Sequence, residues 1–290
     1  MKKILTVLGT RPEAIKLFPL ILKLNDDAEI EHKICVTGQH KEMLDSILSE
    51  FNILPDYDLS VMRASQTLSY LTESILTGIN AVLDEFAPEV MLVHGDTTTA
   101  FTAALAGFYR GIKIGHVEAG LRSGNILSPF PEEFNRRAIS LIASLNFAPT
   151  HDSINNLLND SVDPSSIFLT GNTVIDTIKF SLSEPSHFDM PKKPFVIMTL
   201  HRREHSDAEI SEIFNAIRRI CDIFPELTVI YPVHKNPRFR HLTSALLKDI
   251  PNMLLSEPIE VKRFHRLLNE CEFVLTDSGG IQEEAAFLGK

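Results

Sequence analysis

Short apolar runs alternate with longer stretches of helical periodicity along the whole chain, and this alternation is the pattern of a parallel α/β sheet. The first series of predicted strands covers residues 4–8, 33–37, 90–94, 113–117, 145–148 and 167–170. The second series covers residues 195–199, 228–232, 253–255 and 273–276. We therefore predict an α/β fold with two parallel sheets.

A polar stretch containing proline, residues 181–193, separates the two series of strands. A chain of 290 residues is long enough for about two domains. We predict a boundary near residues 172–193, with one domain over residues 1–180 and another over 181–290. The second series has four predicted strands and reaches Lys290 inside a helix that begins near Gly279 and Gly280, so we expect this second domain to be incomplete.

The segment after Ser206 shows the helical pattern clearly. Its apolar residues recur at spacings of three and four, which places them on one face of a helix. These residues are Ile210, Ile213, Phe214, Ile217, Ile220, Cys221 and Phe224. Ser206 or Asp207 is the predicted N-cap of this helix.

Composition narrows the class of protein. Hydrophobic residues make up 44% and charged residues 23%, as in globular proteins that fold in water. The net charge of −10 argues against broad contact with nucleic acid, although a few cations can still dominate one anion-binding cleft. Cys35, Cys221 and Cys271 are scattered, which fits reduced core residues of a cytoplasmic protein better than disulfides or a zinc site.

The N-terminus begins with two lysines and an apolar run, like a signal peptide. The run has only about six residues before Arg11, too few for the hydrophobic region of a signal or for a membrane span. A first buried strand is the better interpretation, and we expect no membrane association.

The first junction with candidate chemistry is GTRPEAIK, directly after the first predicted strand. Thr10 and Glu13 have the spacing of a capping box, and Pro12 suits a first helical turn. Free backbone N–H groups together with Arg11 and Lys16 would suit a phosphate or diphosphate. The alternative is an ordinary capped helix with two solvated cations. The glycine patterns of dinucleotide-binding and P-loop proteins are missing.

Three carboxylates follow strand ends or begin helices in the first domain: Asp96 in HGDTTT, Glu118 in HVEAGLR and Glu132 in PFPEEFNRR. Each has an ordinary alternative. Asp96 would serve as a helix N-cap, Glu118 would pair with Arg122, and the helix dipole favours an acid at Glu132. Because ligands bind beyond the carboxyl ends of parallel strands, the three carboxylates together are harder to explain as structural residues than any one of them alone.

The second domain offers His201 in HRRE, His234 in YPVHKNP and the segment TDSGGIQEE. Ser278, Gly279 and Gly280 form a turn before a helix N-terminus whose free amides would hold a phosphate, and Glu284 one turn later would accept from ribose hydroxyls. Residues 201–205 also match the H-x-x-E-H zinc pattern. We reject a metal there because that pattern requires a helix, and the predicted helix begins only at Ser206 or Asp207.

These motifs, in order, resemble the signatures of non-hydrolysing UDP-N-acetylglucosamine 2-epimerases. The matching segments are GTRPEAIK, GQHKEML, VHGDTTTA, GHVEAGLRSGN, SPFPEEFNRR, FAPT, TGNTVIDT, HRRE, YPVHKNP and TDSGGIQEEA. The resemblance implies two Rossmann-like, doubly wound domains of the GT-B type with the nucleotide sugar in an interdomain cleft. It also implies a homodimer that uses no redox cofactor.

The reaction implied is the reversible interconversion of UDP-N-acetylglucosamine and UDP-N-acetylmannosamine, for polysaccharide synthesis. The C2 hydrogen is not next to a carbonyl, so removing it while UDP leaves gives a glycal, and re-addition of UDP with protonation on the other face inverts C2. Such chemistry needs at least two protonatable groups. It also needs a cationic cradle that retains UDP.

The resemblance also assigns roles to residues. Asp96, Glu118 and Glu132 become the acid–base candidates, and His201 is expected beside the diphosphate with Arg11 and Lys16. The remaining predicted substrate contacts are Ile259, Phe264, Ser278, Gly279, Gly280 and Glu284. Gln39 and His234 would belong to a second, activating substrate site that some bacterial members have. Ser65 stands where those members carry arginine, so we expect this regulation to be absent.

Other departures leave alternatives open. Ile259 occupies a position that is glutamine in some members, and His205 replaces an asparagine. The family continues beyond the position of Lys290 with a further strand and a segment that supplies another basic residue. A hydrolysing epimerase, a GT-B glycosyltransferase and an inactive fragment that binds UDP or only dimerises therefore stay as competing hypotheses.

Overall fold

The structure is a computed structural model that describes residues 1–38, 41–63, 66–185, 189–192, 194–200, 205–234 and 236–290, with the side chains of residues 41–43 left aside. The chain divides into two compact units, Met1–Thr177 and Ile178–Lys290. Each unit is built around its own parallel sheet. The predicted α/β fold with two parallel sheets is confirmed.

The first unit alternates strands and helices in chain order: β1 (Lys2–Leu8), α1 (Arg11–Asn25), β2 (Ile30–Val36), α2 (Lys41–Glu50), β3 (Tyr57–Asp58), α3 (Leu68–Phe86), β4 (Val90–His94), α4 (Thr98–Tyr109), β5 (Lys113–Val117), α5 (Glu132–Ile142), β6 (Leu145–Ala148), α6 (His151–Asn159), β7 (Ile167–Leu169) and α7 (Val174–Ser183), the last of which runs into the second unit. A short 3-10 helix, Pro164–Ser166, precedes β7.

The sheet of the first unit has the strand order β3-β2-β1-β4-β5-β6-β7. Its neighbouring strands are parallel, and β1 pairs with β2 along its whole length, from Lys2 opposite Ile30 to Leu8 opposite Val36. Helices cover the central strands, which explains why β4 and β5 are almost fully buried rather than alternately buried and exposed. On α3, the buried residues recur at spacings of three, four and one and form the face that packs on the sheet.

The second unit contains β8 (Phe195–Thr199), α8 (Asp207–Ile223), β9 (Thr228–Pro232), α9 (Pro237–Leu246), β10 (Met253–Ser256), α10 (Val261–Glu270), β11 (Val274–Thr276) and α11 (Gly279–Leu288). Its four strands are parallel in the order β10-β9-β8-β11. The predicted N-cap of α8 is confirmed at Ser206, which forms a full capping box with Glu209.

All ten predicted strands are present, and five of them have the predicted bounds: β4, β5, β6, β8 and β9. β3 was not predicted; it is only two residues long and joins the edge of the sheet beside β2. The predicted bounds of β11 begin one residue too early, because Phe273 lies outside the strand and is exposed.

Two further sequence predictions concern the core and the membrane. The three cysteines are free and buried, as predicted, and burial raises the pKa of the Cys35 thiol to about 12. Residues Lys2–Leu8 form a strand rather than part of a signal helix. Within the described ranges, every helix is too short or too polar to cross a bilayer.

Candidate functional site

The candidate acid–base residues of the first unit lie at the switch point of its sheet. β1 is flanked by β2 on one side and β4 on the other, and the crevice beyond the carboxyl ends of such strands is where α/β proteins bind ligands. Asp96 follows β4 by two residues, and Glu118 follows β5 directly. His94 pairs with Val117 in the parallel register, so the two carboxylates leave the sheet side by side.

Asp96 is held in place by two neighbouring residues of α5. Arg136 donates a hydrogen bond to the Asp96 carboxylate and forms an ion pair with it. The side-chain amide of Asn135 donates to the Asp96 main-chain carbonyl at 2.8 Å. Asp96 is not the N-cap of α4: that residue is Thr97, whose hydroxyl accepts the N–H of Ala100 at 3.0 Å. The capping alternative for Asp96 is therefore wrong.

Glu118 is fixed by Lys16 and by its own backbone. The ammonium group of Lys16 donates a hydrogen bond to the Glu118 carboxylate, and both side chains are 13% exposed. The φ angle of Glu118 is 65°, a left-handed conformation that costs a residue with a Cβ about 1–2 kcal/mol. Arg122 pairs instead with Asp160 at 2.7 Å, so the alternative of a structural Glu118–Arg122 pair is wrong.

The two carboxylates have pKa values shifted in opposite directions. Burial raises the pKa of Asp96, and the nearby charges of Glu118 and Glu132 add to this effect against the opposing ion pair with Arg136. Burial also raises the pKa of Glu118, but the interactions with His94 and Lys16 outweigh it, so the pKa lies below its ordinary value. Neighbouring acids with separated pKa values are typical of acid–base sites.

Two buried histidines line the same edge. His94 Nε2 lies 3.7 Å from the Glu118 carboxylate, and His116 Nε2 donates to the carbonyl of Gly95 at 2.8 Å. Burial lowers the pKa of both imidazoles to about 4, so both are neutral at pH 7. Lys16 is therefore the permanent cation next to Glu118.

Glu132 and Glu133 begin α5 but have different surroundings. Glu133 is fully buried and accepts the N–H of Ser123 at 3.0 Å and the guanidinium of Arg137 at 3.0 Å, which makes it a structural residue. Glu132 is partly exposed, and its charge raises the pKa of Asp96. Within the part of the chain that the structure describes, no hydrogen-bond partner is assigned to the Glu132 carboxylate, which leaves it open for a ligand.

The predicted capping box at the start of α1 is wrong in its details. Thr10 is the N-cap, but its hydroxyl does not accept a helix N–H and instead donates to Glu13 at 2.8 Å. Glu13 also accepts the N–H of Gly9 at 2.9 Å and the hydroxyl of Thr97 at 2.7 Å. Arg11 is the first residue of α1 and is partly buried at the same end of the helix.

The Ser-Gly-Gly turn of the second unit also lies at a switch point, because β8 is flanked by β9 and β11. Ser278 is the N-cap of α11, and its hydroxyl does not accept a cap hydrogen bond. A Cβ atom added at Gly279 or Gly280 would meet no atom of the described residues within 4 Å. The first turn of α11 thus faces open space over free backbone amides, which is the geometry that binds phosphate.

Glu284 is buried one turn further along α11. Its carboxylate lies 3.6 Å from Nε2 of His265, a buried residue of α10. The Nδ1 atom of His265 lies 2.9 Å from the hydroxyl of Ser181 on α7. The Glu284 carboxylate, which is predicted to bind ribose, therefore lies beside the His265 imidazole. The hydroxyl of Ser181 fixes the orientation of that imidazole.

The remaining predicted residues are more loosely placed. Phe264 and Ile259 are partly buried against the core formed by β8, α10 and α11. His234 follows β9, and its Nδ1 accepts the N–H of Asn236 at 3.2 Å. Gln39, Ser65 and His201 lie outside the described residues.

Sequence reasoning missed several residues of these sites. Arg136, His94 and His265 received no role, and Glu13 was considered only as a capping residue. Two of them stand inside the motifs, in PFPEEFNRR and VHGDTTTA, but nothing in local spacing shows that their side chains reach Asp96 or Glu118. Among the described residues, no group of three or more His, Cys, Asp or Glu side chains is arranged to hold a metal ion.

Comparison with known proteins gives a consistent result. The family model described as UDP-N-acetylglucosamine 2-epimerase matches residues 22–290. The UDP-N-acetylglucosamine 2-epimerase of Yersinia pestis is 47% identical over 99% of this chain and 80% of its own length. The enzyme of that name from Bacillus subtilis is 46% identical over 99% of this chain and 77% of its own length. The crystal structure of the Neisseria meningitidis UDP-GlcNAc 2-epimerase bound to UDP-GlcNAc superimposes with a TM-score of 0.90 at 44% identity, covering 99% of this chain and 81% of that one.

Proposed function

The chain belongs to the UDP-N-acetylglucosamine 2-epimerase family, whose members are isomerases, and we propose that it interconverts UDP-N-acetylglucosamine and UDP-N-acetylmannosamine without net hydrolysis. The observation that carries the reaction type is the pair Asp96 and Glu118. They are adjacent carboxylates at one sheet edge with pKa values shifted apart. The substrate is inferred from the relatives, one of which has been crystallised with UDP-GlcNAc bound.

The proposed reaction conserves all atoms. A base removes the proton from C2, the C–H electrons form the C1=C2 double bond, and the C1–O bond to UDP breaks with its electrons on the diphosphate. Protonation of C2 on the opposite face, with re-addition of UDP oxygen at C1, then gives the epimer. Neither water nor an oxidant is consumed, so the protein must supply only proton transfer and stabilisation of the departed diphosphate.

The first unit would supply the proton transfer. Glu118 is kept ionised by Lys16 and suits the removal of a proton, whereas the raised pKa of Asp96 suits its delivery. Because the reaction is reversible, the two roles exchange in the two directions. Glu132, open and close enough to affect Asp96, is the third acid–base candidate.

The second unit would hold UDP. The free amides of Gly279 and Gly280 at the start of α11 would bind phosphate together with the hydroxyl of Ser278, whose own N–H donates to the Thr276 hydroxyl at 3.0 Å. Glu284 would accept from the ribose hydroxyls. Phe264 and Ile259 would contact the uracil, and His201 would lie beside the diphosphate. Arg11 and Lys16 would add positive charge that stabilises the leaving group. Gln39 and His234 are proposed only for a second substrate site.

The test is incubation of the purified chain with UDP-N-acetylglucosamine in deuterated water, followed by proton NMR and anion-exchange chromatography. We expect UDP-N-acetylmannosamine to form and both epimers to gain deuterium at C2, with no stoichiometric release of UDP. Accumulation of UDP with free N-acetylmannosamine would identify a hydrolysing enzyme and refute the proposal. Binding of UDP without turnover would identify a nucleotide-binding fragment and would refute it equally.

We further propose that the chain is cytoplasmic and acts as a homodimer, the latter as the family resemblance implies. Light scattering after size-exclusion chromatography tests the dimer. A mass of about 65 kDa, twice the 32.5 kDa of the chain, is expected, and a mass of one chain would contradict it.

A further inference from the structure

Glu13 is a buried carboxylate that the proposed reaction does not use. Only 2% of the residue is exposed, and it lies on the first turn of α1. One carboxylate oxygen accepts the N–H of Gly9 and the hydroxyl of Thr10, at 2.9 and 2.8 Å. The other oxygen accepts the hydroxyl of Thr97 at 2.7 Å. A buried charge is costly unless it is well paired with donors, and here three groups donate to it.

These contacts connect two loops that are far apart in sequence. Gly9 and Thr10 belong to the loop after β1, whereas Thr97 belongs to the loop after β4 and is 84 residues from Glu13. Thr97 is also the N-cap of α4, so its hydroxyl donates to Glu13 while it accepts the N–H of Ala100. The orientation of this hydroxyl is therefore fixed on both sides.

Thr97 is the residue directly after Asp96. The Asp96 main chain is fixed by Asn135, and its carboxylate is fixed by Arg136. Both of these residues belong to α5. Glu13 supplies a separate restraint from α1, through Thr97, the residue that follows Asp96.

We propose that Glu13 is a positioning residue that sets the place of Asp96 for proton transfer by locking the loop after β4 to the loop after β1. Glu13 does not touch the substrate in this proposal. It acts through Thr97, and the inference rests on the proposed epimerase function. A displacement of about 1 Å at a catalytic group is enough to reduce turnover about 100-fold, so loss of this lock should be visible in kcat.

A carboxylate is required because its three partners all donate. In Glu13→Gln, the amide oxygen can still accept hydrogen bonds from Gly9 and Thr10, but the amide NH2 group then faces the Thr97 hydroxyl. The Thr97 hydroxyl would accept two N–H groups and would lose the acceptor for its own proton. The side-chain shape is kept, so the change tests charge and acceptor number rather than packing.

The experiment compares Glu13→Gln, Thr97→Val and Thr97→Ser in the full chain. Thr97→Val removes the hydroxyl at nearly constant volume, and Thr97→Ser restores it. Thr67→Val is the matched control, because Thr67 is the N-cap of α3 and its hydroxyl accepts the N–H of Tyr70, with no carboxylate partner. The readouts are kcat and KM for UDP-N-acetylglucosamine, the pH profile of kcat and the melting temperature.

We expect kcat to fall about 10- to 100-fold in Glu13→Gln and in Thr97→Val, with KM changed less than about threefold. Thr97→Ser should retain most of the wild-type kcat. The double variant Glu13→Gln/Thr97→Val should be no slower than the worse single variant, because both break one contact. Thr67→Val should lose stability but keep its kcat.

Three results would overturn the inference. The first is a kcat within twofold of wild type in both Glu13→Gln and Thr97→Val. The second is additive losses in the double variant, which would mean that the two residues act separately. The third is a loss in Thr97→Val that Thr97→Ser does not recover. If Glu13→Gln does not fold, the comparison of Thr97→Val with Thr97→Ser tests the inference alone, because Glu13 keeps two donors in the first variant and all three in the second. Absence of turnover in the wild-type chain would refute the epimerase proposal itself, and the role of Glu13 with it.

Discussion

The ammonium group of Lys16, on α1, is hydrogen-bonded to the carboxylate of Glu118, 102 residues later at the end of β5. The contact joins α1, the helix that follows β1, to the end of β5, which is separated from β1 in the sheet by β4. It holds Glu118 in its ionised form inside a largely buried environment. It also places a cation beside the proposed base.

Lys16→Met should raise the pKa of Glu118, because burial then acts against one fewer opposing positive charge. A base with a raised pKa is protonated at higher pH, so the acidic limb of the kcat profile should move upward in pH. We also expect kcat at pH 7 to fall at least about 10-fold. Lys113→Met, at the exposed beginning of β5, is the control and should match the wild type. An unchanged acidic limb in Lys16→Met would contradict this assignment.

Asp96→Asn should separate activity from stability. Burial makes the ionised form of Asp96 unfavourable, so an uncharged side chain of the same shape should change the free energy of unfolding by no more than about 1 kcal/mol. Activity should fall at least about 100-fold, because asparagine cannot transfer a proton. Urea unfolding and steady-state kinetics measure the two effects.

Glu133→Gln is the contrasting variant in the same part of the structure. Glu133 is fully buried, and burial raises its pKa, but hydrogen bonds from Ser123 and Arg137 and the charge of Arg136 outweigh burial and leave the pKa lowered overall. Removing the charge should destabilise the fold by about 3 kcal/mol, because Arg137 loses its carboxylate partner and Arg136 keeps only Asp96. A stable Glu133→Gln variant that lacks turnover would show that Glu133 acts in catalysis rather than in stabilising the fold, which would contradict the roles assigned here to Asp96 and Glu133.

Central strands such as β4 and β8 could be predicted from the sequence because they are almost fully buried and contain continuous apolar runs. β3 could not, since two residues at a sheet edge carry no periodicity. The carboxylates Asp96 and Glu118 could also be identified, because a charged residue at the end of an apolar strand contradicts the local pattern and needs a reason.

The partners of these carboxylates could not be predicted. Arg136 is 40 residues from Asp96, and Thr97 is 84 residues from Glu13. The strand order that brings them together is a property of the whole sheet. At Glu13 the local spacing gave the wrong contact, because the four-residue pattern of a capping box was satisfied in sequence while the side chain was taken by a loop from another strand.

His116 should make stability depend on pH. Its pKa is lowered from 6.5 to about 4 by burial, so between these values the unfolded chain binds more protons than the folded one. The free energy of unfolding therefore falls as the pH falls from 6.5 towards 4, by about 2 kcal/mol from this residue between pH 7 and pH 5.

The measurement for His116 is urea unfolding at pH 7 and pH 5 in the wild type and in His116→Gln, whose amide can still donate to the Gly95 carbonyl. The difference between the two proteins isolates His116, because His94 and the buried carboxylates titrate in both. We expect His116→Gln to lose about 2 kcal/mol less than the wild type over this interval. Equal losses would mean that the buried imidazole is not the titrating group.

Gly280→Ala tests the phosphate site of the second unit without disturbing its fold. A Cβ at this position meets no described atom of the chain within 4 Å, and Gly280 has no positive φ, so alanine fits the first turn of α11. Alanine is the better helix former, and the melting temperature should stay the same or rise, corresponding to about 0.5–1 kcal/mol. A phosphate on the free amides would fill the same space as the new methyl group, so the Kd for UDP measured by calorimetry should rise at least about 10-fold. Glu284→Gln should also weaken UDP binding, whereas Glu283→Gln, at the exposed neighbouring position, should not. An unchanged Kd in a folded Gly280→Ala variant would contradict the proposal that the diphosphate is bound at the first turn of α11.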